Sequence, residues 1–489
     1  MSAHHFLGGL VPAQGTPRPV IDPATLETVG YIADATEAEM QAAFAAAAAA
    51  LPAWPNLDGK TRANFLHKVA EVIEKGNLRP IAELMSREMG KPFPEAMGEL
   101  ANVAPIFRYY AEIARDEAGK VAAPIQPGSF QYSRSFPYGT SLHIVPFNFP
   151  ILLLCWTLAA SLAAGNVAIV KPAEPTTLCT WAFLELIAAV LPQGVISGLA
   201  GGAEVGKALV ASEHTQVVAF TGSVAAARSV GVACAEQFKP CLLEAGGSDP
   251  LLVSDKCNLE VAIAGSVTAA FHLSGQICTS AERFMVHEAV HDRFVEGLVA
   301  GAKKLRIGPG LGKSELGPLV SEAARNKVVR LVEGALAKGA RLETGGRIPP
   351  EHPSGWFYEP TVLTGVTPEM EIFHEEVFGP VASVLKVNSF DEALRLANDS
   401  RFGLGASLFS NDLAESLRFV DEVESGMAWV NNPLIDNDAL PFGGWKWSGL
   451  GRALGREGLN AFRRTKMAVI DPVPKIHDWW YPYSDEVFF

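Results

Sequence analysis

The sequence predicts an α/β protein with a parallel sheet that helices cover on both faces. Short, unbroken apolar segments alternate with segments of helical spacing, which is typical of buried parallel strands and their connecting helices. The apolar segments lie at residues 141–145, 166–170, 216–220 and 251–254. Hydrophobic residues make up 48 % and charged residues 19 % of the 489 residues. This composition supports large cores and argues against a disordered chain.

The composition also argues against several classes of partner and site. A net charge of −13 without a run of Lys or Arg disfavours binding to nucleic acid or to anionic membranes. The longest apolar run, at 151–162, is too short to span a bilayer, and residues 1–14 lack the pattern of a signal peptide. Six cysteines in so long a chain do not indicate a disulfide framework, and no CxxC or HExxH pattern predicts a metal site. We therefore expect a cytoplasmic protein without a metal.

The first third of the chain should be extended at 1–35 and then mainly helical. Thr36 can cap the alanine-rich helix that follows, with Glu39 as its capping-box partner. Pro52 should end that helix near Leu51. Further helical spacing lies at 61–89, with a turn at 77–80, and at 95–114.

The rest of the chain should contain two α/β units. Alternation at 130–136 predicts a strand with one polar face. A Rossmann-like nucleotide-binding domain should follow it, and a second α/β unit should extend from about residue 250 to 445. Residues 466–470 should form a last strand.

One cysteine lies where a nucleophile could be presented. The apolar, helix-like stretch 262–273 runs into Ser274 and Gly275, which break the helix, so Cys278 should lie at a backbone turn. A reactive thiol must be reachable and able to ionise, and a turn allows both. The alternative is a small buried hydrophobic residue, which is the commoner role of a cysteine.

Six short motifs surround this cysteine in a fixed order. They are Pro146–Pro150, Lys171–Thr176, Phe220–Ser223, Leu243–Gly247, Glu375–Pro380 and Pro441–Lys446. The set closely resembles the aldehyde dehydrogenase superfamily from about residue 20 to 470. The resemblance implies an NAD-binding domain at 1–120 and 141–246 and a catalytic domain at 247–445. It also implies a small β oligomerisation domain with a C-terminal tail, at 121–140 and 462–489.

The resemblance assigns three catalytic roles. Cys278 would attack the aldehyde to form a thiohemiacetal, and later carry a thioester. Asn148 would donate its side-chain amide to the oxyanion together with the Cys278 amide, and Glu244 would activate the hydrolytic water. On residue type alone, Asn148 could instead cap a turn between two prolines and Glu244 could be a surface acid.

The resemblance also implies a dinucleotide site. A carboxylate at Glu174 can accept hydrogen bonds from the ribose and would repel a 2′-phosphate, which favours NAD over NADP. Ser223 matches the pyrophosphate site at a helix N-terminus, and Glu376 with Phe378 matches the pair at the nicotinamide ribose and ring. The cofactor-binding residues predicted are Lys171, Glu174, Phe220, Gly222, Ser223, Glu376 and Phe378. Without the motif positions, Lys171 and Glu174 could form an exposed loop and Glu376 could be a surface acid.

The substrate pocket is predicted from motif position. Its residues would be Phe149, Leu153, Trp156, His272, Ile277, Thr279 and Phe442. The loop at 433–439 carries Asp436 and Asp438 and no cation, whereas a semialdehyde carboxylate would require one. We therefore expect a neutral aromatic or aliphatic aldehyde, with an aminoaldehyde or semialdehyde as the alternative. A CoA-acylating enzyme or a non-catalytic member fits less well, because Asn148, Glu244 and Cys278 are all present.

Several positions depart from the family pattern. Ala227 and Ala245 replace residues that are usually Gly and Leu. Thr157 and Ala453 stand where the family usually has Lys and Glu near the general base, which puts the usual proton route in doubt. Losing both charges is more tolerable than losing one, because a single buried charge would lack its partner.

The resemblance further implies a homodimer or homotetramer. In the family the last strand, here 466–470, pairs with the strands near Phe130 across a subunit interface. The tail beyond it is rich in aromatic residues, namely Trp479, Trp480, Tyr481, Tyr483, Phe488 and Phe489. We expect this tail to dock on a neighbouring subunit near its substrate entrance, the alternative being a tail folded on its own subunit.

Overall fold

The fold was analysed in a computed structural model, which describes residues 2–116, 118–477 and 479–482. The helices are α1 (Glu37–Ala50), α2 (Gly59–Lys75), α3 (Arg79–Met89), α4 (Phe93–Ala101), α5 (Val103–Ile113), α6 (Leu152–Ala164), α7 (Thr177–Ala188), α8 (Ala203–Ala211), α9 (Val224–Glu236), α10 (Leu259–Phe271), α11 (Glu288–Ala302), α12 (Glu322–Ala337), α13 (Glu371–His374), α14 (Phe390–Asn398), α15 (Leu413–Glu422) and α16 (Gly455–Ala461). None of them is both long and apolar enough to cross a membrane, within the part of the chain described.

The strands build three main sheets. They are β1 (His4–Leu7), β2 (Leu10–Pro12), β3 (Arg18–Ile21), β4 (Thr28–Ile32), β5 (Val121–Ala122), β6 (Phe130–Pro137), β7 (Thr140–Ile144), β8 (Val167–Lys171), β9 (Ile196–Gly198), β10 (Val217–Thr221), β11 (Cys241–Glu244), β12 (Asp249–Val253), β13 (Ala281–His287), β14 (Arg341–Thr344), β15 (Thr361–Thr364), β16 (Val381–Val387), β17 (Phe402–Gly403), β18 (Gly405–Phe409), β19 (Met427–Val430), β20 (Trp445–Lys446), β21 (Gly449–Leu450) and β22 (Arg463–Ile470).

The central strands of the first sheet are parallel. The order in which the chain adds them changes side at one point. Its strands lie in the order β2-β1-β9-β8-β7-β10-β11-β21, and β9, β8, β7, β10 and β11 run parallel. After β7 the chain moves first to one side, through β8 and β9, and then to the other, through β10 and β11. A crevice opens at such a switch point outside the carboxyl ends of the strands, and ligands bind there. The sequence predicts β7, β8 and β10 within one residue, but it does not predict β9 or β11.

The second sheet begins directly after the first one ends. Its order is β14-β15-β16-β13-β12-β18-β19, parallel except for β14. Glu244 ends β11 and Asp249 begins β12, so four residues connect the two sheets. The carboxyl edge of the first sheet therefore meets the amino edge of the second, and the candidate site lies at this junction.

The third sheet corrects one expectation about the last strand. β22 pairs with β6 of its own chain in antiparallel register, from Arg463 opposite Pro137 to Ile470 opposite Phe130. The predicted pairing of these strands across a subunit interface is therefore wrong. Because eight residues of each strand are paired, the backbone hydrogen-bonding groups along one edge of each strand find partners within the same chain.

Several local predictions can be compared with the helices. Thr36 and Glu39 form the predicted capping box of α1. The segment predicted as one helix at 95–114 is two helices, because Asn102 separates α4 from α5. In the tail, Trp479 and Tyr481 are exposed, at 66 % and 83 %. The tail residues Tyr483, Phe488 and Phe489 lie outside the described residues.

Candidate active site

The predicted catalytic residues face one cavity at the junction of the first two sheets. Its volume is about 360 Å³. Loops that follow β7, β8, β10 and β11 meet segments that precede β13 and β16. The lining includes Asn148, Leu153, Ala173, Thr221, Gly222, Ser223, Glu244, Cys278, Lys327, Glu376, Phe378 and Phe442. All six motifs, although far apart in sequence, thus contribute residues to this wall. Two of them contribute Ala173 and Phe442, and the other four contribute the remaining motif residues.

The cysteine is presented by a strained turn at the end of α10. Leu273 and Ser274 adopt left-handed conformations, with φ of 53° and 57°. Gly275 follows with φ of 70°, and a Cβ atom there would lie 2.1 Å from the Gly379 carbonyl oxygen, so only glycine fits. The predicted break after Ala262–Leu273 is confirmed. The turn brings Cys278 to the cavity wall, where its side chain is partly exposed.

The thiol lies among acidic groups. Burial raises the pKa of Cys278 well above its usual range, and the nearby carboxylates, Glu244 first and then Asp249, raise it further. Negative charge next to a thiol opposes the thiolate. A neighbouring positive charge, or the loss of one carboxylate, would therefore activate this nucleophile.

Asn148 is tied to the backbone that precedes the cysteine. It is buried, and its side-chain amide donates to the Gln276 carbonyl oxygen at 2.9 Å. Gln276 is itself held, because its side-chain oxygen accepts from the Val320 amide at 3.0 Å. An Asn amide has two N–H groups, so one remains when the other is used in the bond to Gln276.

A buried ion pair that the sequence did not reveal fixes the segment after Asn148. Lys91 and Glu99 are paired with fully buried side chains. Glu99 Oε1 accepts from the Ile151 and Leu152 amides at the start of α6, at 2.8 and 3.0 Å. The Lys91 ammonium lies 4.5 Å from the centre of the Phe149 ring. The pair satisfies unpaired amides at a helix N-terminus and so orients the loop that carries Asn148.

Glu244 has the properties of a general base held out of water. Its Oε1 accepts no hydrogen bond from the residues that the structure describes. Burial raises its pKa to about 8, although the Ala453 amide and the Arg452 cation act in the opposite direction. A carboxylate with a pKa near neutrality can take a proton from water and later release it.

An uncharged network occupies the position where the family has lysine. Thr157 Oγ1 lies 2.8 Å from His143 Nδ1 and donates to the Leu154 carbonyl oxygen. His143 Nε2 lies 2.9 Å from Ser141 Oγ, and burial lowers the His143 pKa to about 3. The ring is therefore neutral, and the replacement by Thr157 leaves no unpaired charge in this network.

The nicotinamide end of the predicted cofactor site is tightly built. A Cβ atom at Gly246 would lie 2.4 Å from Glu376 Oε1, so glycine is needed for the carboxylate to occupy this position. The Gly247 amide donates to the same oxygen at 3.1 Å. Buried Glu282 accepts from the Val377 and Phe378 amides and thus shapes the turn. These features fit a group that requires a close backbone approach and a carboxylate at its ribose.

At the phosphate and adenosine ends of the predicted cofactor site, only some of the predicted residues line the cavity. Ser223 caps α9 and accepts from the Ala226 amide at 3.4 Å, and both Gly222 and Ser223 line the cavity. Phe220 lies behind them, because its ring packs in a small buried cluster. Lys171 is buried at the end of β8, and burial lowers its pKa.

Glu174 has a partner that sequence reasoning missed. Arg18 contacts Glu174 at 2.5 Å and Asp34 at 2.7 Å, through its two terminal nitrogens. Arg18 is 38 % and Glu174 43 % exposed, so the pair is accessible to a ligand. The adenosine end thus carries an arginine beside the carboxylate that was predicted to exclude a 2′-phosphate.

The predicted pocket residues separate into different places. Leu153 and Phe442 line the cysteine cavity, and Trp156 lines a second cavity of about 440 Å³, with its ring 4.6 Å from that of Phe442. Ile277 lies in a large core cluster, Phe149 packs against that cluster and Thr279 is buried, and none of the three is in the lining of the cysteine cavity.

His272 lies elsewhere. It pairs with Glu95 at 3.1 Å and lines a third cavity of about 510 Å³. His272 therefore lines a different cavity from the one that Cys278 lines.

The second cavity has an acidic mouth. Its lining includes Leu152, Trp156, Ile435, Asp436, Asn437 and Asp438. Asp436 lines this cavity, and desolvation by the surrounding protein raises its pKa to about 7. Its charge raises the pKa of both Glu244 and Cys278, so it lies within electrostatic reach of the reaction centre. In the residues described, no group of three or more His, Cys, Asp or Glu could hold a metal ion.

The fold and the site together define an aldehyde-oxidising oxidoreductase of the cysteine-nucleophile class. Residues 10–468 match the aldehyde dehydrogenase family model, and the chain belongs to that family. This confirms the resemblance and the predicted fold class, with Rossmann-like, catalytic and small β parts.

Known proteins of the family resemble the chain over almost its whole length. It is 34 % identical to betaine aldehyde dehydrogenase of Bacillus subtilis over 470 residues, which is 95 % of this chain and 96 % of the relative. It is 36 % identical to betaine aldehyde dehydrogenase of Brucella melitensis over 476 residues, or 96 % and 97 % of the two chains. The crystal structure of betaine aldehyde dehydrogenase from Staphylococcus aureus with NAD⁺ superposes with a TM-score of 0.94, at 29 % identity, over 98 % of this chain and 97 % of the other.

Proposed function

We propose that the protein oxidises a cationic aminoaldehyde to the carboxylic acid, using NAD and a covalent intermediate on Cys278. The observation that carries the reaction is that Cys278, Asn148 and Glu244, with no motif in common, line one cavity beside the predicted cofactor residues. The observation that carries the substrate class is the acidic mouth next to it.

The first stage is addition of the thiolate to the aldehyde carbon. The carbonyl oxygen becomes an oxyanion, and Asn148 can donate to it with the N–H that Gln276 leaves available. Fixed donors stabilise such charge more effectively than water, because they need no reorganisation. NAD, when bound, accepts the hydride that leaves the carbon and so converts the adduct to a thioester. Gly222, Ser223 and Glu376 would hold it against the cavity.

The second stage is hydrolysis of the thioester. Glu244 would take a proton from water while the oxygen attacks the acyl carbon, and Cys278 would leave as the thiolate. The retained Glu244 favours water over CoA as the acceptor. Thr157 and Ala453 offer no charged relay, so the proton on Glu244 would return to solvent by way of the cavity.

The acidic mouth supports a cationic substrate over the neutral aldehyde that we expected from the sequence. Asp436 lines this mouth, and a bound cation would lower its raised pKa and ionise it fully. The adjacent Trp156 and Phe442 rings offer apolar and cation–π contacts for a substituted ammonium group. The relatives named betaine aldehyde dehydrogenases act by name on an aldehyde with a quaternary ammonium group, which agrees with this choice.

Replacing Asp436 with asparagine should lower kcat/KM for betaine aldehyde by about tenfold, equivalent to about 1.4 kcal/mol. The loss should be confined to the charged substrate, because the substitution removes charge with little change in shape. The matched probe is 3,3-dimethylbutanal, in which carbon replaces the quaternary nitrogen. Asp421→Asn, on the exposed side of α15, is the control. An equal loss for both aldehydes, or a wild-type preference for the neutral one, would contradict the proposal.

Cofactor preference should depend on the Arg18–Glu174 pair. With Glu174 in place, its charge opposes a 2′-phosphate and NAD should have the higher kcat/KM. Glu174→Gln would leave Arg18 without this carboxylate, and the ratio of kcat/KM for NADP to that for NAD should rise by about tenfold or more. Glu204→Gln on the nearby α8 is the charge-matched control. An unchanged ratio would show that Glu174 does not set the preference.

We also propose self-association as a homodimer or homotetramer. The three-stranded sheet exposes Met467, Val469 and Ile470 at 79 %, 53 % and 44 %, and exposed apolar patches of this kind mark contacts. The aromatic residues 479–481, in the tail that follows β22, are also exposed. Light scattering should give a mass of at least two chains, and a chain without residues 475–489 should associate more weakly or show a changed KM for bulky aldehydes. A monomeric full-length chain would contradict the proposal.

A further inference from the structure

A buried carboxyl group joins the segment that carries the cysteine to the turn that carries Glu376. Glu282 lies near the start of β13, four residues after Cys278, and is 2 % exposed. Its Oε1 accepts from the Val377 and Phe378 amides at 2.9 and 2.8 Å. Its Oε2 accepts from the Val377 amide at 2.9 Å. These bonds connect positions 95 and 96 residues apart in the chain.

The turn that donates these bonds has an unfavourable backbone conformation. Phe378 has a φ of 52°, in the left-handed region that bulky side chains rarely adopt. Such a conformation persists only where the surrounding structure holds it. Both carboxyl oxygens of Glu282 are used on this turn, which satisfies a polar group that is buried from water. The turn and the carboxyl group therefore hold each other in place.

Two residues of this turn face the cysteine cavity. Glu376 and Phe378 line it, whereas its lining does not include Glu282 in the part of the chain that the structure describes. Glu376 Oε1 accepts from the Gly247 amide at 3.1 Å. The Phe378 ring lies edge to face with the Phe147 ring, with 5.9 Å between their centres. Glu282 can thus affect a ligand in the cavity only through the turn that it holds.

We propose that Glu282 is a positioning residue for the nicotinamide end of NAD, because its bonds to the turn keep Glu376 and Phe378 in place. This role rests on the proposed function, in which that end of the cavity holds the nicotinamide. Removal of the carboxyl group would leave two amides unpaired and allow the left-handed residue to relax. A site that must first be ordered binds its ligand more weakly than one that is already fixed. Affinity for NAD should therefore fall, while the thiol of Cys278 stays reactive.

Titrations with NAD and with ADP separate this role from general damage to the fold. ADP contains the adenosine and the pyrophosphate but lacks the nicotinamide and its ribose, so Glu282 should not affect its binding. In calorimetry, Glu282→Ala should raise the Kd for NAD by at least about tenfold, equivalent to about 1.4 kcal/mol, and change the Kd for ADP by less than about twofold. Glu282→Gln keeps one acceptor oxygen, and its Kd for NAD should lie between those of the wild type and Glu282→Ala.

Two controls accompany these titrations. Hydrolysis of p-nitrophenyl acetate without NAD requires the thiol but no cofactor, and its kcat/KM should change by less than about threefold in Glu282→Ala. Glu415 is the matched carboxyl group, since its side chain is 12 % exposed and accepts from the Ser254 and Ser410 hydroxyls at 2.7 Å. Glu415→Gln should bind both nucleotides with wild-type affinity.

An unchanged Kd for NAD in Glu282→Ala, or an equal rise in the Kd for NAD and for ADP, would overturn the proposal. If the alanine variant does not fold, Glu282→Gln decides, because a wild-type Kd for NAD in that variant would equally contradict the role. The titrations contain no aldehyde. A wild-type enzyme that binds NAD but does not oxidise betaine aldehyde would therefore contradict the proposed function and leave the role of Glu282 open to the same measurement.

Discussion

Cys278→Ala should lower NADH formation by at least about a thousandfold, as removal of a nucleophile does in other covalent enzymes. The alanine variant cannot form the bond to the aldehyde carbon, and in the residues described the cavity offers no second thiol. NAD binding should be unchanged, because the predicted cofactor residues lie on other loops. Steady-state assays with betaine aldehyde, together with calorimetric titration of NAD, give both quantities.

A second free thiol provides the control for this substitution. Cys257 is partly exposed at the end of the turn after β12, and Cys257→Ala should keep wild-type turnover. Substantial activity in Cys278→Ala would mean that another group attacks the substrate.

Glu244→Gln should give one NADH per active site and then slow by at least about a hundredfold, which is within the usual contribution of a general base. The amide cannot take a proton from water, so the thioester should accumulate. The burst itself should persist, because the substitution removes the carboxylate that raises the pKa of the Cys278 thiol most strongly. Stopped-flow absorbance of NADH measures both phases.

The same residue predicts how the wild-type rate depends on pH. A general base works as the carboxylate, and burial raises the pKa of Glu244 to about 8. The hydrolysis rate should therefore rise about tenfold per pH unit below that value and level off above it. In Glu244→Gln this dependence should disappear from the slow phase. A wild-type steady rate in the variant would require a different base.

The sequence predicted the parts of the fold and site that depend on local signals. The capping box at Thr36 and Glu39 and the break before Cys278 follow from residue type and spacing. The prediction of one helix at 95–114 is wrong, because the chain breaks at Asn102, which gives only a weak signal in the sequence.

Contacts between distant segments could not be predicted in this way. The bond from Asn148 to Gln276 joins positions 128 residues apart, and the fully buried Lys91–Glu99 pair looks in sequence like two surface charges. Arg18 reaches Glu174 because β3 contacts the turn formed by residues 174–176. The motif position of His272 predicts a place in the substrate pocket, but the residue lines another cavity and pairs with Glu95.

The substrate class shows the same limit. The absence of a cation at 433–439 argued against carboxylate substrates, and the loop was interpreted as favouring a neutral aldehyde. The two aspartates of this loop favour a cationic substrate instead, because Asp436 lies within electrostatic reach of Cys278. Proximity of this kind depends on the fold of the whole chain and is invisible in the loop alone.

The most direct test is the intact mass of Glu244→Gln after mixing with betaine aldehyde and NAD. The variant should retain the intermediate long enough to be denatured in acid and weighed, and peptide mapping then locates it. The account predicts a mass increase equal to the acyl group, confined to the peptide with Cys278. No adduct despite a burst of NADH, or an adduct on any other residue, would contradict a thioester mechanism on Cys278.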